Sequence, residues 1–305
     1  MRILIIDSHK GSLKEPDNLH WLNASKLNQY FISKGDESKL IWSYPTVNDN
    51  VEENYDVVIF NHASHYSYVD YAWLGKSPNA RLFYITNEYN LGEPRILWMA
   101  AKAGRNYKVF ANHEGQISKV VKKYVTNWQV TNINALVVEE FPAENTLENP
   151  LIYYGSFRKD RIPSFQEYLA SNKIKISTHK KNREKFLNSG TCDNFIDRLK
   201  WSKKELAKWR FSLYIEDETT HKNYNFLANR FYEALNHNTI PVFDGRCLLT
   251  MLKSGYENLI WEASICSFNE EEYLERQNNL SAWRSRALIE KQQALEEIYS
   301  AIQHV

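Results

Sequence analysis

Residues 211–245 read FSLYIEDETTHKNYNFLANRFYEALNHNTIPVFDG, and the fold is decided by how this stretch is read. Its first five residues form an apolar run rich in aromatic and branched side chains, which predicts a buried strand. Leu227, Phe231 and Leu235 recur at i, i+4 and i+8 and predict an amphipathic helix, with Asn229, Arg230 and Glu233 off its apolar face. TIPVF, residues 239–243, predicts a second buried strand. A helix that opens beside the carboxyl end of a parallel strand offers unpaired N–H groups and a positive dipole end to anions, and Arg230 adds a full charge one turn in. The order strand, polar loop, helix, strand therefore predicts a pocket for a diphosphate. The alternative reading of Arg230 and Glu233 is an exposed i, i+3 ion pair, which contributes only about 0.2–0.5 kcal/mol.

Outward from this stretch the chain alternates strand and helix. RILII (2–6), KLIWSY (39–44), DVVIFNH (56–62), RLFYITN (81–87) and YKVFANH (107–113) are apolar runs, with helices expected near residues 18–33 and 94–103. Strands of continuous apolar character separated by helices imply a parallel sheet covered on both faces. Residues 1–140 thus predict one Rossmann-like lobe. The pattern repeats through LIYYGSF (151–157), KIKIST (173–178), FSLYI, TIPVF and NLIWEA (258–263), then ends in a charged helix over about 270–302, so residues 141–305 predict a second lobe. The α/β class with two such lobes and a cleft between them follows. The stretch from Leu136 to Asn149, with a Pro and several Asn and Glu residues, reads as the linker.

The 305 residues suffice for two domains with real cores. Three cysteines, Cys192, Cys247 and Cys266, lack metal-like spacing, and their odd number argues against a disulfide framework, so they read as reduced thiols. MRILIIDSHKG, with one Arg and an apolar run of only four, predicts a first strand rather than a signal peptide, and no run approaches the roughly 20 apolar residues of a membrane span. The expectation is a cytoplasmic monomer with no membrane partner. A net charge of +1 leaves any nucleic-acid affinity to local patches. An aromatic content of 14%, with 19 Tyr and 9 Trp, suits stacking on sugars or bases, although most such rings pack cores.

Ligands of open α/β sheets collect outside the carboxyl ends of the strands. After LIYY comes Gly155-Ser156-Phe157-Arg158-Lys159-Asp160-Arg161, where a Gly permits close backbone approach and three basic side chains suit phosphate oxygens. The alternative is a solvated basic turn before a helix that starts near Pro163. No Gly-rich Walker loop and no Asp-x-Asp motif stands in the sequence, so Arg and Lys are expected to neutralise a diphosphate and no metal ligands are assigned. In the first lobe His62 and His65 follow one strand, Glu88 the next, and Asp7 and His9 the first; each is a candidate general base. A retaining reaction needs no such base, since the leaving phosphate can take the acceptor proton. Lys119, Lys122 and Lys123 fit an exposed helix face, and Lys180, Lys181 and Arg183 fit a loop after KIKIST; such runs are usually solvated faces, and are the phosphate contacts if DNA binds.

NRFYEALNHNTIPVFDG resembles the donor-site segment of bacterial fucosyltransferases, where a Thr-Glu-Lys triplet opens a helix leading to a Pro-containing strand, and more loosely that of phage DNA glucosyltransferases. Both groups share the two-lobed GT-B architecture. The resemblance spans about 35 of the 305 residues. It implies that Arg230 takes the place of the phosphate-binding Lys and Glu216 that of the Glu just after the preceding strand. Asn229 stands where the family has the Glu that holds the donor ribose. It also implies that Gly155, Ser156, Arg158, Lys159 and Arg161 lie beside the leaving diphosphate, with Glu233 in the same donor set. The chain also looks like phage DNA glucosyl- and arabinosyltransferases, and the expectation is a glycosyltransferase with a nucleotide diphosphate sugar as co-substrate, a UDP-sugar of the glucose or arabinose class, and no cofactor. Its expected acceptor is 5-hydroxymethylcytosine in double-stranded phage DNA, which places a phage-encoded chain in the host cytoplasm. The rivals are a fucosyltransferase-like enzyme acting on a surface glycan and a non-catalytic nucleotide-sugar binding module.

Overall fold

A computed structural model describes residues 1–7, 19–41, 54–61, 77–86, 107–117, 127–142, 144, 149–155, 157–171, 175–178, 180–189, 195–196, 206–216, 225–260 and 270–304. The chain divides into two compact units, Met1–Val137 with Glu290–Val305, and Val138–Ile289.

The first unit holds β1 (Arg2–Asp7), α1 (Leu19–Ser33), β2 (Glu37–Ile41), β3 (Val57–Asn61), β4 (Arg81–Thr86), β5 (Tyr107–Ala111) and β6 (Trp128–Val130). The strands form a parallel sheet in the order β2-β1-β3-β4-β5-β6. Side chains alternate across a strand, so Ile3, Ile5, Val57, Ile59, Phe83, Ile85 and Phe110 share one face and one core cluster. Leu4, Ile6, Val58 and Phe60 point to the other face and are equally buried, which is why these strands read as continuous apolar runs. Ala24, Leu27 and Phe31 give α1 one apolar face, and that face closes the first core layer.

The second unit holds β7 (Asn149–Tyr154), α2 (Ile162–Ser171), β8 (Lys175–Ser177), α3 (Lys180–Asn188), β9 (Phe195–Ile196), β10 (Trp209–Tyr214), α4 (Asn229–Asn236), β11 (Ile240–Phe243) and α5 (Leu248–Ser254). Its parallel strands run β11-β10-β7-β8-β9. Pro241 is tolerated because β11 is the outermost described strand of this sheet, where one missing N–H breaks little. Beyond it, among the described residues, Ile260 of NLIWEA pairs as a single bridge to Val242, with Asn258 and Leu259 outside any strand; residues 261–263 lie outside the described residues, as does the helix expected at 94–103.

The long helix α6 (Glu270–His304) departs from the expected domain plan. Leu280, Trp283 and Ala287 bury in the second unit's part of the helix, but Ala294, Leu295, Ile298, Ala301 and Ile302 belong to the core of the first. Assigning all of 141–305 to the second lobe is therefore corrected for Glu290–Val305, because an apolar stripe follows the core that buries it rather than its place in the chain. The linker is corrected too. Leu136, Val137 and Val138 are fully buried, Leu136 within the first core, whereas Phe141 is 80% exposed.

Candidate active site

In the second sheet the chain steps from β7 outward to β8 and β9, then returns to the opposite side of β7 with β10 and β11. The carboxyl ends of β7 and β10 thus flank a topological switch point, where neighbouring loops part and leave a crevice. Alternation along β7 places Tyr153 and Tyr154 on opposite faces. Tyr153 packs edge-on against Phe165 of α2, at 4.8 Å between ring centroids, and the Tyr154 hydroxyl donates to the Arg230 carbonyl in α4 at 3.1 Å. The two helices therefore cover opposite faces, and an arginine from the start of each reaches over the sheet edge.

Those two arginines meet at Glu216, the second residue past β10. Arg161 Nη2 donates to Glu216 Oε2 at 3.3 Å, and Arg230 Nη1 lies 3.4 Å from Glu216 Oε1. Arg161 Nη1 also donates to the Tyr153 hydroxyl at 2.8 Å, and Arg230 Nη1 donates to the carbonyl of Ile215. The Arg230 guanidinium sits 4.9 Å from the centroid of Tyr153 and 5.9 Å from that of Tyr154. Arg161, Arg230 and Glu216 side chains are 6%, 12% and 5% exposed. Burial opposes charge on both guanidiniums, but Tyr153 and Glu216 outweigh it and hold both above the ordinary value, so they stay cationic. Two buried cations share one carboxylate.

The start of α4 and the end of β7 adjoin these arginines. Arg230 Nε is buried with no hydrogen-bond partner, and so is Asn229 Oδ1 beside it. The N-cap of α4, Ala228, supplies no side-chain bond, and its own N–H donates to the Tyr214 hydroxyl at 2.7 Å. A cation in the first turn of an uncapped helix is unfavourable by itself and becomes favourable when an anion binds there. Gly155, at φ +154°, brings the end of β7 so close that a Cβ would lie 3.0 Å from both Arg230 Nη2 and the Tyr153 hydroxyl.

The expected donor residues divide on this geometry. Arg161, Glu216, Arg230 and Gly155 come together, with Asn229 adjoining. Arg158 and Lys159 do not join them: both are exposed, on the 3-10 turn Lys159–Arg161 and its N-cap. Glu233 is buried rather than off the buried face, hydrogen-bonded to Tyr154, and the exposed Arg230–Glu233 pair gives way to the buried pairing of Arg230 with Glu216. The reason is that α4 is enclosed nearly all round. Phe231 packs on Phe243, Tyr256 and Trp283, and Arg284 of α6 caps its carboxyl end through the Leu235 carbonyl at 3.0 Å. Lys180, Lys181 and Arg183 lie on α3 rather than in a loop. Ser156, His62, His65, Glu88, Lys119, Lys122 and Lys123 lie outside the described residues. Among the described residues no group of three or more His, Cys, Asp or Glu side chains is placed to hold a metal ion.

Sequence reasoning missed Tyr153 and Tyr154, which read as strand filling. The signal was their place, two aromatic rings directly before a glycine and a basic turn. In the first sheet the equivalent switch point lies between β1 and β3, where Asp7 stands in register with Asn61 and is 1% exposed.

No protein-family model and no curated protein matches the chain. Solved structures do match it along nearly its whole length. Anabaena HepE bound to UDP and glucose is similar at TM-score 0.60 and 11% identity, covering 98% of this chain and 100% of its own. T4 phage BGT bound to UDP and Mn²⁺ is similar at TM-score 0.52 and 14% identity, covering 99% and 97%. An alpha-glucosyltransferase bound to UDP-glucose and DNA containing an abasic site is similar at TM-score 0.57 and 13% identity, covering 99% of both chains. The fold is GT-B. At these identities the likeness is one of fold, and two Rossmann-like lobes of the GT-B kind account for both parallel sheets and their switch points.

Proposed function

We propose that the chain is a glycosyltransferase that moves a sugar of the glucose or arabinose class from a nucleotide diphosphate, a UDP-sugar, to a hydroxyl acceptor. One observation carries this reading: two buried arginines share a single carboxylate at the switch point of the second sheet. A buried surplus of positive charge is costly unless an anion neutralises it. In the transfer step the acceptor oxygen bonds to the anomeric carbon while the bond from that carbon to the diphosphate oxygen breaks. Negative charge grows on the departing diphosphate, and Arg230 and Arg161 stabilise it there. The acceptor proton passes to a base of the first unit, for which Asp7, His62, His65 and Glu88 are the candidates, or to the leaving phosphate if configuration is retained. Of these, Asp7 is described and lies at the first sheet's switch point.

The acceptor we favour is 5-hydroxymethylcytosine in duplex DNA. Its support is the fold shared with enzymes solved on DNA and the basic run that opens α3 at Lys180, three residues past the end of β8 on the sheet that carries the arginines. A second reading, a glycan hydroxyl, is favoured by the net charge of only +1 and by the resemblance of 229–245 to fucosyltransferases. The test is thermal-shift screening with UDP-, GDP- and CDP-sugars, followed by a transfer assay on hydroxymethylcytosine duplex. Stabilisation by a UDP-sugar and label transfer to the duplex are expected. No stabilisation by any nucleotide sugar rejects the enzyme reading, and transfer to a glycan alone selects the second acceptor.

A further inference from the structure

We propose that Tyr153 is a positioning residue which holds both diphosphate-binding arginines, the hydroxyl fixing Arg161 and the ring face fixing Arg230. The inference rests on the donor-site reading above and adds to it the element that sets the geometry of the pair. Arg161 arrives from the turn before α2 and Arg230 from α4 on the other face of the sheet, so neither helix can orient both guanidiniums. Among the described residues, the side chains of Glu216 and Tyr153 touch both. Glu216 supplies the opposite charge, through one oxygen to each arginine. Tyr153 supplies direction, through a hydrogen bond of 2.8 Å to Arg161 Nη1 and a ring 4.9 Å below the Arg230 guanidinium.

The support is itself immobile. Tyr153 is fully buried and its ring is braced edge-on by Phe165, at an interplanar angle of 79°. A Phe would fill that slot equally well, so packing alone does not call for a hydroxyl; a buried hydroxyl persists where it has a partner, and here the partner is a guanidinium. Gly155 fits the same account, because any Cβ there would press on both the hydroxyl and Arg230 Nη2. An arginine loses much rotamer freedom when it binds, and prior fixing by a rigid ring moves that loss out of the binding step.

The experiment compares Tyr153→Phe and Tyr153→Leu with wild type by isothermal titration calorimetry. The probes are the tightest-binding of UDP, GDP and CDP for wild type and its parent nucleoside. Nucleoside affinity is expected to stay within about twofold in both variants, since the nucleoside carries no phosphate for the arginines to hold. Diphosphate affinity is expected to fall about tenfold in Tyr153→Phe, which keeps the ring, through loss of one charge-assisted hydrogen bond. In Tyr153→Leu a fall of about 100-fold is expected, through further loss of a desolvated cation–π contact. Parallel weakening of nucleoside and diphosphate overturns the proposal, because it marks a merely structural side chain. An unchanged diphosphate-to-nucleoside ratio in Tyr153→Phe overturns it as well, and that near-isosteric variant covers the case in which Tyr153→Leu fails to fold. Failure of wild type to bind any of the three diphosphates removes the donor-site reading, and the inference with it.

Discussion

Arg230 concentrates the physics of the site in one side chain. It is desolvated, cationic, placed in the first turn of a helix, and its Nε is left without a partner. Arg230→Ala is expected to lower turnover by about 10²–10³ with little change in folding stability, since the lost contact strengthens as the diphosphate leaves. Steady-state rates beside urea midpoints check this, and rates within twofold of wild type reject the assignment. Arg230→Lys is expected to recover little, because an ammonium cannot divide its donors between Glu216, Ile215 and a ligand as a planar fork does. Glu216→Gln acts oppositely. It leaves two buried guanidiniums with no carboxylate, and breaking such a pairing costs about 3–5 kcal/mol of stability. Added UDP is expected to restore part of that loss by mass action, read as a shift of the urea midpoint. Cys247 is a residue of another kind: burial pushes its thiol up to about 12, so at pH 8 the thiolate is scarce. A Cys192→Ser, Cys266→Ser double variant is therefore expected to react with a thiol reagent only after unfolding.

At the scale of elements, the strand order determined where the site lies, and the ends of β7 and β10 determined its shape. Which basic residue of Arg158, Lys159 and Arg161 enters the cluster was not legible in the sequence. Lys159 stands two positions from Arg161 on the 3-10 turn, about 240° of rotation away, and Arg158 is the extended N-cap outside that rotation, so only Arg161 turns inward, with the phase set by packing around Tyr153. Arg230 and Glu216 were legible, because each follows an apolar run that had to be a strand or opens the helix after it. The helix α3 was not, since a run of Lys, Asn and Arg reads as a loop until Phe186 finds Phe165 to pack on, at 5.2 Å between centroids. Gly155→Ala tests the closeness of the β7 end. A Cβ there meets Arg230 Nη2 and the Tyr153 hydroxyl at 3.0 Å, and the backbone conformation adds strain of order 1–3 kcal/mol. The expected result is weaker UDP binding together with a lower melting temperature, measured by calorimetry and differential scanning fluorimetry.

At the scale of the molecule, α6 gives its last turns to the core of the first unit. Deleting residues 290–305 removes Leu295, Ile298 and Ile302 from a layer that contains Ile3, Ile5, Val57 and Ile59. Each large apolar side chain contributes about 1.5–3 kcal/mol by burial, so the three together approach the whole stability of an ordinary domain. Loss of cooperative unfolding of the first unit is expected by circular dichroism, and an unchanged two-unit melt would contradict this assignment of the helix. For the proposed DNA acceptor, the net charge of +1 predicts few phosphate contacts, each adding about 0.9 to the slope of log K against log salt. Fluorescence anisotropy of hydroxymethylcytosine duplex at several salt concentrations is expected to give a modest slope. No binding and no transfer at low salt removes the DNA acceptor.

The sequence by itself determined the two parallel sheets, since only strands buried on both faces carry unbroken apolar runs such as 2–6, 57–60 and 211–215. It also determined which edge of each sheet carries the polar and basic residues, because they follow those runs at their carboxyl ends. Tertiary structure alone decided which charges meet. Glu216, Arg161 and Arg230 lie on three separate segments, and their pairing exists only because β10 returns to the side of β7 opposite β8. It alone decided that Glu233 is buried and that Tyr153 lies under a guanidinium, for enclosure on several sides comes from neighbours distant in the chain. It also decided the ownership of the last turns of α6. A helical stripe states that it must be buried, and only the fold supplies the surface that buries it.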